Sequence, residues 1–188
     1  MLGAWTAPLG GYGILGNHDW WQETLAQPRG HGPVKAQIEM EKNAIQVSEK
    51  PALPLSLNGR RFWLAGLSNQ LALTQGQGVY QDVDDLEGTL VQIADDASVV
   101  LLANVPDIVP KMPETVALAL SGHRHGEQPR LFGWSPVVPW RYRKPLAYGH
   151  RPAGRHDLVV SGGIGCSLAL VRFGVTPEIT LVTLEAAV

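Results

Sequence analysis

The sequence has little cysteine, few charged residues and no long hydrophobic run, and each shortage excludes a class of protein. Cys166 is the only cysteine, which excludes an internal disulfide framework and favours a reducing compartment. Charged residues make up 17% of the chain and its net charge is −2, so it presents neither a basic field for nucleic acid nor an acidic tail. No apolar run approaches the roughly 18 residues that a membrane span needs. We therefore expect no nucleic-acid partner and no membrane segment in this chain. The location stays open, with cytoplasmic as the default, because any targeting segment would lie in an N-terminal part that precedes this sequence.

The residues that are abundant indicate a globular α/β protein with many turns. The apolar fraction is 45%, and 188 residues suffice for one domain with a substantial core, which we place over 1–188. The chain contains 21 glycines and 14 prolines, which favour turns and loops. No repeat and no linker divides it.

Local patterns predict the order of the secondary-structure elements. Asn58-Gly59 between two apolar runs is the strongest short-range signal, and it predicts a hairpin. Continuous apolar runs at 98–105 and 116–122 predict strands buried on both faces. We further predict a strand at 12–16 followed by a loop, helices within 33–44 and 78–97, and strands at 44–49, 53–57, 61–67, 157–163, 167–174 and 177–185.

Residues 126–157 are rich in proline, glycine, arginine and aromatic residues, which predicts a long loop that walls a site. Its aromatic and basic side chains would line a substrate groove, although a loop anchored by its aromatics is the simpler interpretation. These side chains are Trp134, Trp140, Arg141, Tyr142, Arg143 and Lys144.

Two histidines follow the apolar run that ends near Ser121. On an extended backbone, His123 and His125 would point to the same side and share one ion, whereas a turn after Gly122 would direct them to two neighbouring ions. Two surface histidines in a turn are the alternative.

Polar residues also follow two other predicted strands, and this favours the metal interpretation. Asn17, His18 and Asp19 follow the first strand, and Asn104 follows the run at 98–105. In α/β sheets, functional groups gather beyond the carboxyl ends of strands. Carboxamide oxygen, imidazole nitrogen and carboxylate are ligands for Mn, Fe, Zn or similar ions, so we expect a convergent metal site.

Three segments resemble the calcineurin-like metallophosphoesterases, and specifically a bacterial phosphodiesterase-type branch. They are GNHD at 16–19, LLANVPD at 101–107 and SGHRHG at 121–126, with support from WLAGL at 63–67, GGIG at 162–165 and PEIT at 177–180. The resemblance covers essentially the whole chain in order. It implies an αββα sandwich of two mixed sheets, of the α+β type, with outer helices.

The resemblance also implies a chemistry, which is the hydrolysis of phosphodiesters or phosphomonoesters by a metal-activated water. Two divalent ions, among Mn, Fe, Zn and Mg, would clamp the attacking hydroxide and the phosphate oxygens. Asn17 and His123 would bind the second ion, His125 would bind the first, and His18 would protonate the leaving oxygen. Asn104 stands where the family usually has a histidine ligand. A small phosphate ester would be the substrate.

Three departures from the family pattern point to an impaired site. The family's Asp-x-His and Gly-Asp motifs should precede GNHD, but the 15 residues before Gly16 contain no Asp, Glu or His. Asn104 is a weaker ligand than histidine, and Glu127 stands where the family has glycine. We therefore expect one ion or none, a fold without its first βα unit, and an open sheet edge that permits self-association.

Alternative interpretations stay open at this point. The chain is either part of an ordinary enzyme, through a truncated gene model, or a decayed paralogue that serves as a non-catalytic binding or regulatory module. Cys166 and Arg172 have the Cys-x5-Arg spacing of cysteine phosphatases, but the residues between them alternate like a strand. His31, His150 and His156 are expected in loops, where most histidines are simply solvated. The substrate is not determined by the sequence.

Overall fold

The computed structural model describes residues 6–48, 52–69, 71–76, 79–81, 83–127, 148–166 and 172–185. The strands are β1 (Gly11–Gly13), β2 (Ile45–Val47), β3 (Leu53–Leu57), β4 (Arg60–Leu67), β5 (Leu73–Gly76), β6 (Val79–Gln81), β7 (Val99–Ala103), β8 (Val116–Ser121), β9 (Gly149–Ala153) and β10 (His156–Val160). The helices are α1 (Asn17–Trp21), α2 (Ala26–Arg29), α3 (Lys35–Lys42) and α4 (Leu86–Leu90), with 3-10 turns at Pro106–Lys111 and His125–Glu127.

A mixed six-stranded sheet in the order β3-β4-β7-β8-β10-β9 forms the centre of the fold. Strands β4, β7, β8 and β10 run parallel, and the edge strands β3 and β9 are antiparallel to their neighbours. Two small sheets accompany it, a parallel pair β1-β2 and an antiparallel pair β5-β6. The mixed α/β class is confirmed, and it is consistent with a metallophosphoesterase-like sandwich.

The two faces of the central sheet bury alternate residues of its strands. In β7, Val99, Leu101 and Ala103 pack into a core that also includes Ile108, while Val100 packs on the opposite face. That opposite face carries Leu118 and Val159, and Val182 packs against it. This alternation is the period-two pattern of a strand, and it confirms the buried strands expected at 98–105 and 116–122.

The predicted hairpin is also confirmed. β3 and β4 pair antiparallel with Leu57 opposite Arg60, and Asn58 and Gly59 both have positive φ, of 52° and 77°. Two consecutive positive φ values define the type I′ turn, whose twist matches that of paired strands.

A second core contains the segment around α1. Leu15, Trp20, Val34 and Ala72 are buried together there. This unit approaches the central sheet closely at Gly66 of β4, where a Cβ would lie 2.6 Å from the side chain of Ser48. Glycine at this position therefore permits the contact.

Two sequence-based expectations near the N-terminus and in the middle of the chain need correction. Residues 17–21 form helix α1 rather than a loop, because Asp19 Oδ2 accepts the N–H of Gly16 and Trp20 is buried. The helix expected within 78–97 is confined to Leu86–Leu90, where Asp85 caps its start by accepting the N–H of Gly88. Val91, which lies within the predicted range, is 77% exposed.

The loop expected over 126–157 is wrong at its C-terminal end. Gly149–Ala153 forms edge strand β9, paired with β10, and Pro152 is tolerated there because an edge strand has one side without partners. Residues 128–147, which include the six aromatic and basic side chains predicted to line a groove, lie outside the described residues.

The C-terminal prediction is only partly covered by the structure. Residues 167–171 lie outside the described residues, and 176–185 form no strand with any described residue. The alternation of 177–185 predicted a strand, but Ile179, Leu181 and Leu184 are exposed while Val182 packs on the sheet. Within the described ranges, no helix is both long enough and apolar enough to cross a membrane.

Candidate metal centre

The carboxyl ends of β7 and β8 bring the predicted residues together. Asn104 follows the last residue of β7, and His123 lies two residues beyond the end of β8. The N–H of Gly122 donates to the carbonyl of Asn104 over 3.2 Å, which ties the two strand ends to each other. Helix α1 begins beside them at Asn17. This is the edge at which ligands bind in open α/β sheets.

The side chains of Asn17 and His123 are in direct contact. Nδ1 of His123 lies 3.0 Å from Oδ1 of Asn17, and Asn17 is only 4% exposed. A carboxamide oxygen accepts and a neutral imidazole donates from its protonated nitrogen, so this contact is a hydrogen bond of ordinary length, and it holds two candidate metal ligands side by side. The segment GNHD and the turn after β8 therefore meet at Asn17 and His123.

The two histidines do not follow an extended backbone. His123, His125, Gly126 and Glu127 have φ values of 64°, 47°, 62° and 63°, in the left-handed region. The interpretation in which both rings point to the same side of a strand is therefore wrong. His123 contacts Asn17, whereas His125 faces Gly165, where a Cβ would lie 3.9 Å from the ring. Left-handed backbone at non-glycine residues is costly and is typical of functional sites.

Burial keeps both imidazoles neutral. It lowers the pKa of His123 to about 4, with smaller contributions from the charges of Arg124, His125 and His18. It also lowers the pKa of His125, against an opposing hydrogen bond with the backbone of Gly165. A neutral imidazole is the form that binds metal ions.

Arg124, between the two histidines, is turned away from the site and anchors the loop. Its guanidinium donates to both carboxylate oxygens of Asp107 over 3.0 and 3.2 Å, and its side chain is only 7% exposed. Burial raises the pKa of Asp107, and the adjacent guanidinium opposes that shift. The ion pair therefore holds the turn against the segment that follows β7.

His18 lies at the rim of the same site. Its ring is 5.0 Å from that of Trp21, which in turn stacks on Tyr80 at 4.9 Å and donates from Nε1 to the carbonyl of Leu71. The charge of His18 contributes to lowering the pKa of both His123 and His125, so the three imidazoles lie near one another.

Asn104 has a partner that the sequence analysis missed. Nδ2 of the fully buried Asn69 donates to Oδ1 of Asn104 over 2.8 Å, and Oδ1 of Asn69 accepts the N–H of Leu71 over 2.7 Å. Asn69 follows the end of β4, so the rule that singled out Asn17 and Asn104 would also have found it.

The donor set present fits one ion better than two. Among the described residues, no group of three or more His, Cys, Asp or Glu side chains is placed to hold a metal. The available donors are imidazole nitrogens and carboxamide oxygens, and among the described residues Asn17 and His123 are the pair in direct contact. Imidazole nitrogen and carboxamide oxygen are donors of the kind that Mn, Fe and Zn use in proteins.

The other candidates are engaged elsewhere. Arg172 donates to the backbone carbonyls of Gly162, Gly165, Val175 and Thr176, which leaves it unsuited to the phosphate cradle of a cysteine phosphatase. Cys166 is half-buried. His150 and His156 lie on strands rather than loops, paired with Asp157 and with the carbonyl of Val116, and His31 is exposed in a loop.

Comparison with known proteins gives one informative match. An uncharacterized metallophosphoesterase of Bacillus subtilis, YkuE, is 31% identical over 188 residues, which is 99% of this chain. The chain spans 60% of the length of that relative. No protein-family model matches the sequence. No solved structure matches it.

Proposed function

We propose that the chain, which is 31% identical over 99% of its length to a metallophosphoesterase, is a metal-dependent phosphoesterase, with a small phosphate ester as its substrate. The observation that carries the proposal is the 3.0 Å hydrogen bond between His123 Nδ1 and Asn17 Oδ1, which brings an imidazole and a carboxamide of two distant motifs side by side. Two further observations support the proposal, which are the neutral state of His123 and the likeness to a named metallophosphoesterase.

We assign the following roles to the described residues. Asn17 and His123 would hold one divalent ion, and His125, which faces Gly165, would contribute only to a neighbouring ion if one were bound. A bound divalent ion supplies a nucleophile at neutral pH by lowering the pKa of its water, and it polarises a phosphoryl oxygen. His18, positioned by its contact with Trp21, donates a proton to the oxygen of the leaving alcohol. Neutral leaving alcohol and phosphate are the products.

We expect weak turnover, because no carboxylate joins Asn17 and His123 in the part of the chain that the structure describes. The same feature favours a second candidate, a non-catalytic module that keeps the fold and one ion. A pair of ligands without a carboxylate suits the binding of one ion better than the activation of a water between two.

A single assay separates the two. Hydrolysis of bis-(p-nitrophenyl) phosphate is followed with Mn²⁺ and with EDTA for the wild type, His123→Ala, Cys166→Ser and the matched control His31→Ala, which changes an exposed histidine. We expect slow hydrolysis that requires Mn²⁺, falls at least tenfold in His123→Ala, and persists in His31→Ala and Cys166→Ser. Manganese binding without hydrolysis would favour the module. Hydrolysis that resists EDTA would contradict the proposal.

A further inference from the structure

The carboxamides of Asn69 and Asn104 are hydrogen-bonded to each other, and the backbone N–H of Leu71 sets the orientation of both. The N–H of Leu71 can only donate, so the atom of Asn69 that lies 2.7 Å from it must be the oxygen. The other end of the Asn69 carboxamide is therefore the amide nitrogen, and it donates to Asn104 over 2.8 Å. The atom of Asn104 that receives this bond is consequently its oxygen.

This orientation decides which end of Asn104 faces the metal-binding segment. A Cβ at Gly16 would lie 3.2 Å from Nδ2 of Asn104 and 3.7 Å from its Cγ, so the amide nitrogen is turned toward the residue that precedes Asn17. A carboxamide NH₂ group donates hydrogen bonds and offers no lone pair to a cation. The end of Asn104 nearest Gly16 therefore offers a donor to an oxygen acceptor. Oδ2 of Asp19, 3.5 Å from the same Cβ, already accepts the N–H of Gly16.

We propose that Asn104 is not a metal ligand but a hydrogen-bond donor to a non-bridging oxygen of the substrate phosphate, and that Asn69 is a positioning residue that sets its orientation. This inference rests on the proposed phosphoesterase function. The two arginines whose charges act on the histidines are engaged with other groups, Arg124 with Asp107 and Arg172 with backbone carbonyls. A neutral donor at Asn104 supplies a contact to phosphate that neither guanidinium is placed to make.

Substitution of Asn69 by aspartate is expected to reverse the orientation of the Asn104 carboxamide, and this change can be measured. In Asn69→Asp, one carboxylate oxygen keeps the bond from Leu71 while the other requires a donor, so the Asn104 carboxamide turns over and presents its oxygen to the site. For Asn69→Asp we expect at least threefold tighter binding of Mn²⁺ and at least fivefold weaker binding of inorganic phosphate. For Asn104→Ala we expect Mn²⁺ affinity within twofold of the wild type and about tenfold weaker phosphate binding. Both affinities are measured by titration calorimetry.

Several results would overturn the assignment. A tenfold loss of Mn²⁺ affinity in Asn104→Ala would identify Asn104 as a metal ligand, and equal phosphate affinity in Asn104→Ala and the wild type would remove its role as a donor. Failure of the wild type to bind Mn²⁺ would instead count against the proposed function. In that case, phosphate binding by the wild type and Asn104→Ala without metal still decides the role of Asn104, and the lack of any phosphate binding overturns it.

A spectroscopic measurement on the wild type avoids the risk that Asn69→Asp fails to fold. The side-chain amide signal of Asn104 in a ¹H–¹⁵N spectrum is identified by its loss in Asn104→Asp. We expect this signal to shift when inorganic phosphate is added in the presence of diamagnetic Zn²⁺, while the signal of Asn43, whose amide donates to the carbonyl of Glu39 on exposed helix α3, stays in place. An unmoved Asn104 signal overturns the inference.

Discussion

Nδ1 of His123 lies 3.0 Å from Oδ1 of Asn17, although the two residues are 106 positions apart in the sequence. One belongs to a turn after the parallel strand β8 and the other begins helix α1. The contact is a hydrogen bond that joins the segments whose motifs resemble a metallophosphoesterase, and it places an imidazole beside a carboxamide oxygen.

Removal of either partner is expected to weaken metal binding by a similar amount. Asn17→Ala and His123→Ala should each lower Mn²⁺ affinity at least tenfold, because each removes one of two neighbouring ligands. The double variant should lose little more than either single one, since the remaining ligand holds the ion poorly alone. Titration calorimetry measures these affinities, with His31→Ala as the control. Fully additive losses would show that the two side chains do not share an ion.

The metal-free protein is expected to become less stable as the pH is lowered, because of His123. Its pKa is about 4 in the folded protein, below the ordinary value of about 6.5, so the unfolded chain binds the proton more tightly. The stability that the neutral ring contributes is fully present above pH 6.5 and is lost as the pH falls toward 4.

Between pH 7 and 4.5 this effect should lower the free energy of unfolding by about 2 kcal/mol. Urea denaturation at several pH values measures it, and His123→Gln should lose that part of the pH dependence while His31→Gln keeps it. Identical pH profiles for the wild type and His123→Gln would refute the assignment.

The ion pair between Arg124 and Asp107 is expected to matter for stability, unlike an exposed pair elsewhere in the molecule. Asp107→Ala removes both hydrogen bonds to a guanidinium that is 7% exposed, and should lower the free energy of unfolding by about 2 kcal/mol. It should also weaken Mn²⁺ binding, because Arg124 holds the turn between His123 and His125.

Glu114→Ala provides the matched control. It breaks the pair between Arg155 and Glu114, whose side chains are 76% and 72% exposed, and should change stability by no more than about 0.5 kcal/mol. Chemical denaturation compares the two variants, and equal effects would contradict this assignment of the stabilising pair.

The type I′ turn between β3 and β4 offers a test of the fold that is independent of the site. Gly59→Ala places a side chain at a φ of 77° and should destabilise the protein by about 1 kcal/mol, although nothing lies within 4 Å of the added Cβ. Asn58→Gly, at a φ of 52°, should be close to neutral. Thermal unfolding measures both, and an unaffected Gly59→Ala variant would argue against this turn type.

Much of the fold could be predicted because its signals are local. The buried strands β7 and β8 are visible in the sequence as continuous apolar runs, and Asn58-Gly59 specifies a turn through the φ values that these two residues tolerate. Strand β9 was missed for the opposite reason, since its sequence contains Pro152 and few apolar residues and it exists through its pairing with β10.

By itself, the amino-acid sequence determined where polar side chains follow buried strands, because burial of apolar side chains fixes strand positions and leaves the polar groups at the strand ends. Only the tertiary structure decided how those ligands are used. The positive φ values that separate His123 from His125, the contact between His123 and Asn17, and the orientation of Asn104 all arise from non-local hydrogen bonds and burial. Asn104 shows the reason most clearly, since a carboxamide presents a donor or an acceptor according to its partner, and that partner is 35 positions away.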